Sequence, residues 1–264
     1  MFEVAKSLAL RNDELERLIA LADEKIEVNE AAYNTLCRAC CVLIASHLEG
    51  FLKDLSKSLI LDLNFYLKSF SNMPPAVKNT FCQKIAFYEG VKSEEINLRA
   101  KQLAAFFEEN TVAVNMHAFT YKETANKNPG SDIIDGTLAK LGIPNVLLSI
   151  TNPKMESIFE NDLTSIYKIR RDFKRFRSRL YNFPYKKLPK SYEFVCVNGK
   201  HEGNGKTIWH TFISEVMGRR HTIAHGDTLN NEVTSARLRQ DVERLDVLMH
   251  GLMYSAVSHL VKNM

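Results

Sequence analysis

The sequence has no run of apolar residues long enough to cross a bilayer. Its longest run covers residues 39–45, whereas a membrane-spanning helix needs about 20 mostly apolar residues. The chain starts with Met1-Phe2-Glu3, which places an acid where a secretory signal carries basic charge. These two absences predict a cytoplasmic protein that makes no contact with a membrane.

Cysteine is scarce and poorly placed for disulfides or metal binding. The five cysteines are an odd number, and Cys37, Cys40 and Cys41 fall in one apolar segment. The Cys37-x-x-Cys40 spacing occurs in zinc sites and redox motifs, but neither a second such pair nor a nearby pair of histidines completes it. We therefore expect buried free thiols, no metal site and no cofactor.

The composition is that of an ordinary globular protein. Hydrophobic residues make up 45% of the 264 residues and charged residues 25%, which argues against a disordered chain, a collagen and a coiled-coil rod. At this length the chain can bury a substantial core. We predict a single domain over residues 1–264.

Apolar residues recur at helical spacing over most of the chain. They lie three or four residues apart from Leu36 to Leu59 and again from Leu238 to Leu260. Asn12-Asp13 predicts the N-cap of the first helix, and Tyr192 begins the one convincing strand, residues 192–197, before an Asn198-Gly199 hairpin signal. Further helices are predicted from about 30 to 70 and over 75–89, 93–109, 132–141, 206–224 and 234–263. The sequence thus predicts an all-α helical bundle with an inserted basic segment, residues 168–206, that contains a short strand or hairpin.

Positive charge is concentrated in that segment. Residues 168–190 hold ten lysines and arginines against the single acid Asp172, a net charge of +9 in a chain of net charge +4. Such a segment is either a solvated face or a surface that binds a polyanion, and interleaved aromatic residues such as Phe176 and Tyr181 offer stacking surfaces for bases. Both interpretations stay open. The residues predicted to bind RNA are Lys168, Arg170, Arg171, Lys174, Arg175, Arg177 and Arg179.

The most informative segment for function ends a predicted helix and reads Arg220-His221-Thr222-Ile223-Ala224-His225-Gly226. Arg220 lies in the apolar stripe of that helix, four residues after Val216 and three before Ile223, so its charge needs an anionic partner, either a buried carboxylate or a bound phosphate. His221 and His225 share the spacing of a helical metal pair. A zinc protease, however, has Glu where this chain has Thr222.

This segment resembles the R-x(4–6)-H signature of the HEPN superfamily, with Arg220 and His225 as its ends and the polar His221 directly after the arginine. Glu49-Gly50-Phe51, in the long second helix, resembles the Glu-Gly-Phe step of HEPN relatives of the RiboL-PSP type. We expect the preceding His47 to be structural, with a backbone carbonyl as its partner. The resemblance covers about residues 30–70 and 206–262.

The resemblance implies a HEPN-like bundle that forms a homodimer and cleaves RNA without a metal, by attack of the ribose 2′-OH on the neighbouring phosphate. Arg220 and His225 would be the catalytic pair and His221 an accessory polar residue. It further implies a toxin or an antiviral-defence effector, with an antitoxin or inhibitor protein as a partner. The alternative is a noncatalytic HEPN module that binds a nucleotide, RNA or a partner protein.

The spacing of the catalytic pair raises a geometric question. Arg220 and His225 are five residues apart, which is about 140° around a regular helix. Dimerisation, the reach of the arginine and unwinding near Gly226 are three ways in which the two groups could converge.

Overall fold

A computed structural model describes residues 1–66, 68–110, 112–113, 130–194, 206–226 and 233–262. Within these ranges the chain forms ten α-helices and no strand. The helices are α1 (Phe2–Asp23), α2 (Glu30–Tyr66), α3 (Pro75–Ala86), α4 (Ser93–Glu109), α5 (Ser131–Ala139), α6 (Val146–Ser149), α7 (Pro153–Glu156), α8 (Leu163–Phe176), α9 (Ile208–Ala224) and α10 (Ser235–Lys262). Short 3₁₀ turns cover Phe70–Asn72, Ser157–Glu160, Arg177–Leu180 and Lys190–Tyr192. The all-α prediction is confirmed.

Helices α1, α2 and α10 form the centre of the bundle. Helix α1 runs antiparallel to α2, since Met1 lies beside Asp62 at one end while Glu14 lies beside His47 further along. Helix α10 is buried on all sides over much of its length: eight of its residues between 247 and 257 have no solvent exposure and are apolar. A helix that is apolar all round belongs in the core of a bundle.

Helix α2 is long and apolar enough, by length and composition, to pass as a membrane span over residues 30–65, with a mean hydropathy of 1.4. In the bundle its apolar stripe, which includes Cys37, Ile44 and Leu48, is buried, and α2 packs against α1, α9 and α10. Packing inside the bundle thus accounts for its apolar character.

The first helix begins earlier than predicted. Asn12 is not an N-cap: it lies in the middle of α1, is buried, and its amide Nδ2 donates to Asp246 Oδ1 at 2.5 Å. Apolar residues continue on the buried face before it, at Val4 and Leu8. The polar residue that resembled a helix start is instead a buried contact between α1 and α10.

The predicted strand is wrong at its first residue. Tyr192 ends a 3₁₀ turn, where its ring packs at 5.3 Å from that of Phe173 and its hydroxyl donates to Asp172 Oδ2 at 2.8 Å. Aromatic packing onto α8, and not strand pairing, determines its conformation. Residues 195–197 and the hairpin signal Asn198-Gly199 lie outside the described residues.

The segment predicted as a basic insertion contributes to the core. It begins inside α8, whose inner face buries Ile169 and Phe173 together with the preceding Ile166. The chain after α8 buries Leu180 and Tyr185. The buried hydrophobic residues from the first helix to the last form one cluster, so the described part of this segment is built into the bundle.

Four of the five cysteines are described, and all four are free and buried, as predicted. Burial raises the pKa of Cys40 to about 12 and that of Cys41 to about 11. These thiols therefore stay protonated and unreactive at neutral pH. Cys196 lies outside the described residues.

Candidate active site

The candidate site lies at the C-terminal end of α9. The helix starts with a capping box, in which Thr207 and His210 satisfy each other's backbone groups. It ends because Gly226 adopts a left-handed conformation, with φ of 73°, which glycine enters without steric cost. Between these limits α9 buries Trp209, Ile213 and Val216, and its last turn extends beyond the core.

The buried carboxylate partner at this helix end belongs to Arg219 rather than Arg220. Arg219 Nη2 lies 2.5 Å from Oδ2 of Asp241, whose side chain has no solvent exposure. Arg220 is partly exposed, as is Ile223 in the same stripe. The sequence pattern placed Arg220 on the buried face, but that face opens to solvent where α9 leaves the core.

Asp241 is surrounded by three arginines. Besides Arg219, Nε of Arg237 lies 3.4 Å and Nη1 of Arg244 lies 3.7 Å from its Oδ1. Burial raises the pKa of Asp241, and the three positive charges act against that rise. Burial also lowers the pKa of Arg244, whose guanidinium lies over the ring of Phe159. This group of charges, centred on the buried Asp241, links the end of α9 to α10.

His221 and His225 lie side by side on the exposed last turn. Their ring centroids are 4.2 Å apart with the ring planes inclined by 49°, and both residues are exposed. The backbone N–H of His225 still donates to the His221 carbonyl at 3.0 Å. Helical hydrogen bonding therefore continues to His225, so unwinding before His225 is not a route to convergence, which leaves dimerisation and the reach of the arginine.

The Glu49-Gly50-Phe51 step lies where α2 packs against α1. Phe51 is buried, and Glu49 Oε1 pairs with Lys53 Nζ at 2.9 Å. A Cβ atom on Gly50 would lie 2.5 Å from Nη1 of Arg11, which is closer than side chains approach. Gly50 thus allows the Arg11 guanidinium to lie across α2.

His47 is structural, but its partners differ from the prediction. Its Nε2 lies 3.1 Å from Glu14 Oε2 and its Nδ1 lies 3.4 Å from Arg11 Nη1, so side chains of α1 and not a backbone carbonyl face the ring. Burial lowers the pKa of His47, and Glu14 acts against that change.

The seven residues predicted to bind RNA divide into two groups. Arg170 and Arg177 bind other groups of the protein. Arg170 Nε lies 2.8 Å from Asp246 Oδ2, and Arg177 Nη1 donates to the Ala5 carbonyl at 3.0 Å. The other five are exposed, although Arg179 also donates to the Lys187 carbonyl at 2.6 Å. We call these five residues the α8 basic face; they are Lys168, Arg171, Lys174, Arg175 and Arg179.

Asp246 organises a buried polar network that the sequence analysis missed. Its carboxylate contacts Asn12 and Arg170, and its Oδ1 lies 3.1 Å from Nδ1 of the buried His250. Burial alone would raise the pKa of Asp246, but His250 and Arg170 bring that pKa well below its usual value. The signal that could have revealed the network is an acid and a histidine one turn apart within the apolar stripe of the last helix.

Among the residues that the structure describes, no group of three or more histidines, cysteines, aspartates or glutamates is arranged to hold a metal ion.

Comparison with known proteins agrees with the resemblance noted above. The family model RiboL-PSP-HEPN matches residues 6–252, from the first helix to the last. No curated protein and no solved structure matches the chain. Because the family model spans nearly the whole sequence, the chain belongs to the RiboL-PSP-HEPN family.

Proposed function

We propose that this protein is a metal-independent endoribonuclease that acts as a homodimer in the cytoplasm. The observation that carries the proposal is the end of α9, where Arg220 is partly exposed and the rings of His221 and His225 lie side by side in solvent, while Asp241 binds the preceding Arg219. A site with a permanent cation and imidazole groups, exposed on a well-supported helix end, suits phosphodiester chemistry.

The proposed reaction is an internal transesterification of RNA. The 2′-OH of a ribose attacks the adjacent phosphorus, a new P–O2′ bond forms, and the P–O5′ bond breaks to leave a 2′,3′-cyclic phosphate and a free 5′-OH. His225 takes part in the proton transfers, since an imidazole can accept and donate protons near neutral pH. Arg220 stabilises the charge that develops on the phosphorane oxygens through its forked donors. His221 is the accessory polar group beside them.

The helix geometry supports the proposed homodimer. Arg220 and His225 are five residues apart on a continuous helix, about 140° around its axis. A second copy placed against the end of α9 would let the arginine of one protomer and the histidine of the other meet at one phosphate. We expect about twice the chain mass by light scattering at micromolar concentration, and a monomer that cleaves RNA would exclude this arrangement.

The α8 basic face is the proposed RNA-binding surface. Its side chains are exposed, and the neighbouring Tyr167 is 69% exposed as well, which makes its ring accessible for stacking on a base. Phosphate contacts from such a face add affinity that depends on salt but not on sequence.

The decisive test is cleavage of single-stranded RNA by the purified protein in excess EDTA. We expect a 2′,3′-cyclic phosphate product, resistance of a substrate with 2′-deoxyribose at the scissile position, and a rate loss of about 10²–10⁴ in His225→Ala. Cleavage that stops in EDTA and returns with a divalent ion would refute the metal-independent mechanism. An inactive wild-type protein that still binds RNA or a nucleotide would favour the noncatalytic HEPN module.

The biological role that we propose is that of a toxin or an antiviral-defence effector, restrained by an antitoxin or inhibitor protein. Expression of the intact chain should then stop host growth, whereas an equally abundant and soluble His225→Ala chain should not. Equal tolerance of the two chains would speak against this role.

A further inference from the structure

The end of α9 presents two imidazole rings to solvent at a distance that suits a shared ligand. The ring centroids of His221 and His225 are 4.2 Å apart, and both residues are exposed. The hydrogen bond from His225 N–H to the His221 carbonyl keeps the two residues one helical turn apart. The rings are therefore presented on one face by regular backbone, without a loop that would have to rearrange.

Two histidines four residues apart on a helix can direct two ring nitrogens at one ion. Imidazole nitrogen is a favoured ligand of Zn²⁺, Ni²⁺ and Cu²⁺, with a Zn–N distance of about 2.0–2.1 Å. We propose that His221 and His225 chelate a divalent transition-metal ion of this class, with Zn²⁺ as the representative ion. Mg²⁺ and Ca²⁺ prefer oxygen ligands and should not bind there.

The surroundings favour a weak and reversible site. The last carbonyl groups of a helix carry partial negative charge, which favours a cation near the C-terminal end of α9. Among the described residues no third protein ligand joins the pair, and water would complete the coordination of an ion held by the two rings alone. A structural zinc site, by contrast, is closed by four protein ligands.

The proposed chelate opposes the proposed function instead of assisting it. This step rests on the endoribonuclease proposal, in which His225 moves a proton. A ring nitrogen bound to Zn²⁺ has no free lone pair to accept that proton. The ion would therefore inhibit an enzyme that needs no metal, and removal of the ion would restore activity.

The binding experiment is calorimetry of the full chain with Zn²⁺ in a buffer free of chelators. We expect His221→Ala and His225→Ala each to weaken binding by about tenfold or more, since even outer-shell changes cost 10–100-fold in metal affinity. The two losses should not add in the double variant, because either change alone destroys the chelate. Full Zn²⁺ affinity in either single variant, or additive losses, would overturn the proposal.

His210 provides the matched control on the same helix. Its Nδ1 contacts the Thr207 hydroxyl at 2.8 Å at the start of α9, so His210→Gln should leave Zn²⁺ binding at the α9 end unchanged. Mg²⁺ in place of Zn²⁺ should produce no binding heat that depends on His221 or His225. Loss of the binding in His210→Gln would place the ion elsewhere and overturn the assignment.

The activity experiment separates the two proposals. Zn²⁺ should inhibit RNA cleavage with a midpoint near its calorimetric dissociation constant, and EDTA should reverse the inhibition. Zn²⁺ that binds the pair while cleavage continues at full rate would overturn the inhibitory role. If the wild-type protein cleaves no RNA under any condition yet binds Zn²⁺ through both histidines, the endoribonuclease proposal fails and the chelate stands.

Discussion

Helices α8 and α9 each contain two consecutive arginines, and in both helices the first arginine of the pair binds an aspartate of α10. In α8, Arg170 binds the buried Asp246 of α10, while Arg171 is 60% exposed. In α9, Arg219 binds the buried Asp241 of α10, while Arg220 is partly exposed. Neighbouring residues point about 100° apart around a helix, so one arginine can reach the core while the next faces outward.

The surroundings of the outward arginines differ. Arg171 lies among other exposed cations and near Asp172 at 3.6 Å, whereas Arg220 is followed at once by His221 on the same helix turn. The α8 pair thus contributes charge alone, and the α9 pair contributes charge beside groups that can transfer protons. In the proposed endoribonuclease, α8 would therefore serve RNA affinity and α9 would serve the chemistry.

The largest expected effect comes from removing an inward arginine. Arg170→Gln should lower the free energy of unfolding by about 3–5 kcal/mol, because it leaves the buried Asp246 carboxylate without its closest cation. Arg219→Gln should lower it by less, because Arg237 and Arg244 still lie 3.4 and 3.7 Å from Asp241. Arg171→Gln is the matched control and should change it by less than about 0.5 kcal/mol. Urea denaturation measures all three. Equal stability of Arg170→Gln and Arg171→Gln would remove the distinction between inward and outward arginines.

The next effect concerns the outward arginine of α9. Arg220→Gln should lower kcat by about 10²–10³, the range seen when one donor to a developing oxyanion is lost. Arg220→Lys should fall between wild type and Arg220→Gln because it keeps the charge but not the forked geometry. Single-turnover cleavage of RNA provides the rate. A folded Arg220→Gln protein with the wild-type rate would refute its role in the chemistry.

A smaller effect is expected from the outward residues of α8. Replacing Lys168, Arg171, Lys174 and Arg175 with Gln should weaken RNA binding and flatten its salt dependence by about 0.7 in slope for each lost contact to a single strand. Cleavage of saturating RNA should change less than affinity does.

The control for the α8 variant removes the same charge elsewhere. Lys6, Lys57, Lys92 and Lys101 are exposed on other parts of the protein, and their change to Gln should leave the salt slope nearly unaltered. Fluorescence anisotropy at several salt concentrations compares the two variants. Identical slopes for both would mean that the α8 basic face is only solvated.

The smallest effect is a difference in how the two buried aspartates respond to acid. The pKa of Asp246 is lowered in the folded protein, so its stabilising contribution is present above the unfolded pKa of about 3.9 and is lost as pH falls through the folded pKa. The pKa of Asp241 is raised by burial, so the folded state takes up its proton first and gains stability as pH falls through that raised value.

Asp246→Asn and Asp241→Asn test this difference through unfolding free energies measured from pH 6 to pH 3. The amount by which the free energy of unfolding of wild type exceeds that of Asp246→Asn should decrease as the pH falls. Over the same fall in pH, the free energy of unfolding of wild type should rise relative to that of Asp241→Asn. Shifts of the same sign in both variants would show that the two carboxylates do not have opposite environments.

Much of the fold could be read from local patterns. The spacing of apolar residues in α2 and α10 predicts long helices, and the structure confirms them at Glu30–Tyr66 and Ser235–Lys262. The burial of Cys37, Cys40 and Cys41 follows from the same periodicity. Local patterns failed at Asn12 and Tyr192, where a distant helix supplies the partner: Asp246 for the amide, and Phe173 with Asp172 for the tyrosine.

The sequence by itself determined the helical class of this protein, its free thiols and the family to which its Arg220-to-His225 segment belongs, because these depend on periodicity and on residues close together in the chain. Only the tertiary structure decided which arginine of each pair binds a buried aspartate. That choice depends on where the two aspartates lie on α10. Asp241 is 22 residues from Arg219 in the chain, and Asp246 is 76 residues from Arg170. Long, flexible guanidinium side chains pair with whichever carboxylate the packing brings near, and no local pattern encodes that distance.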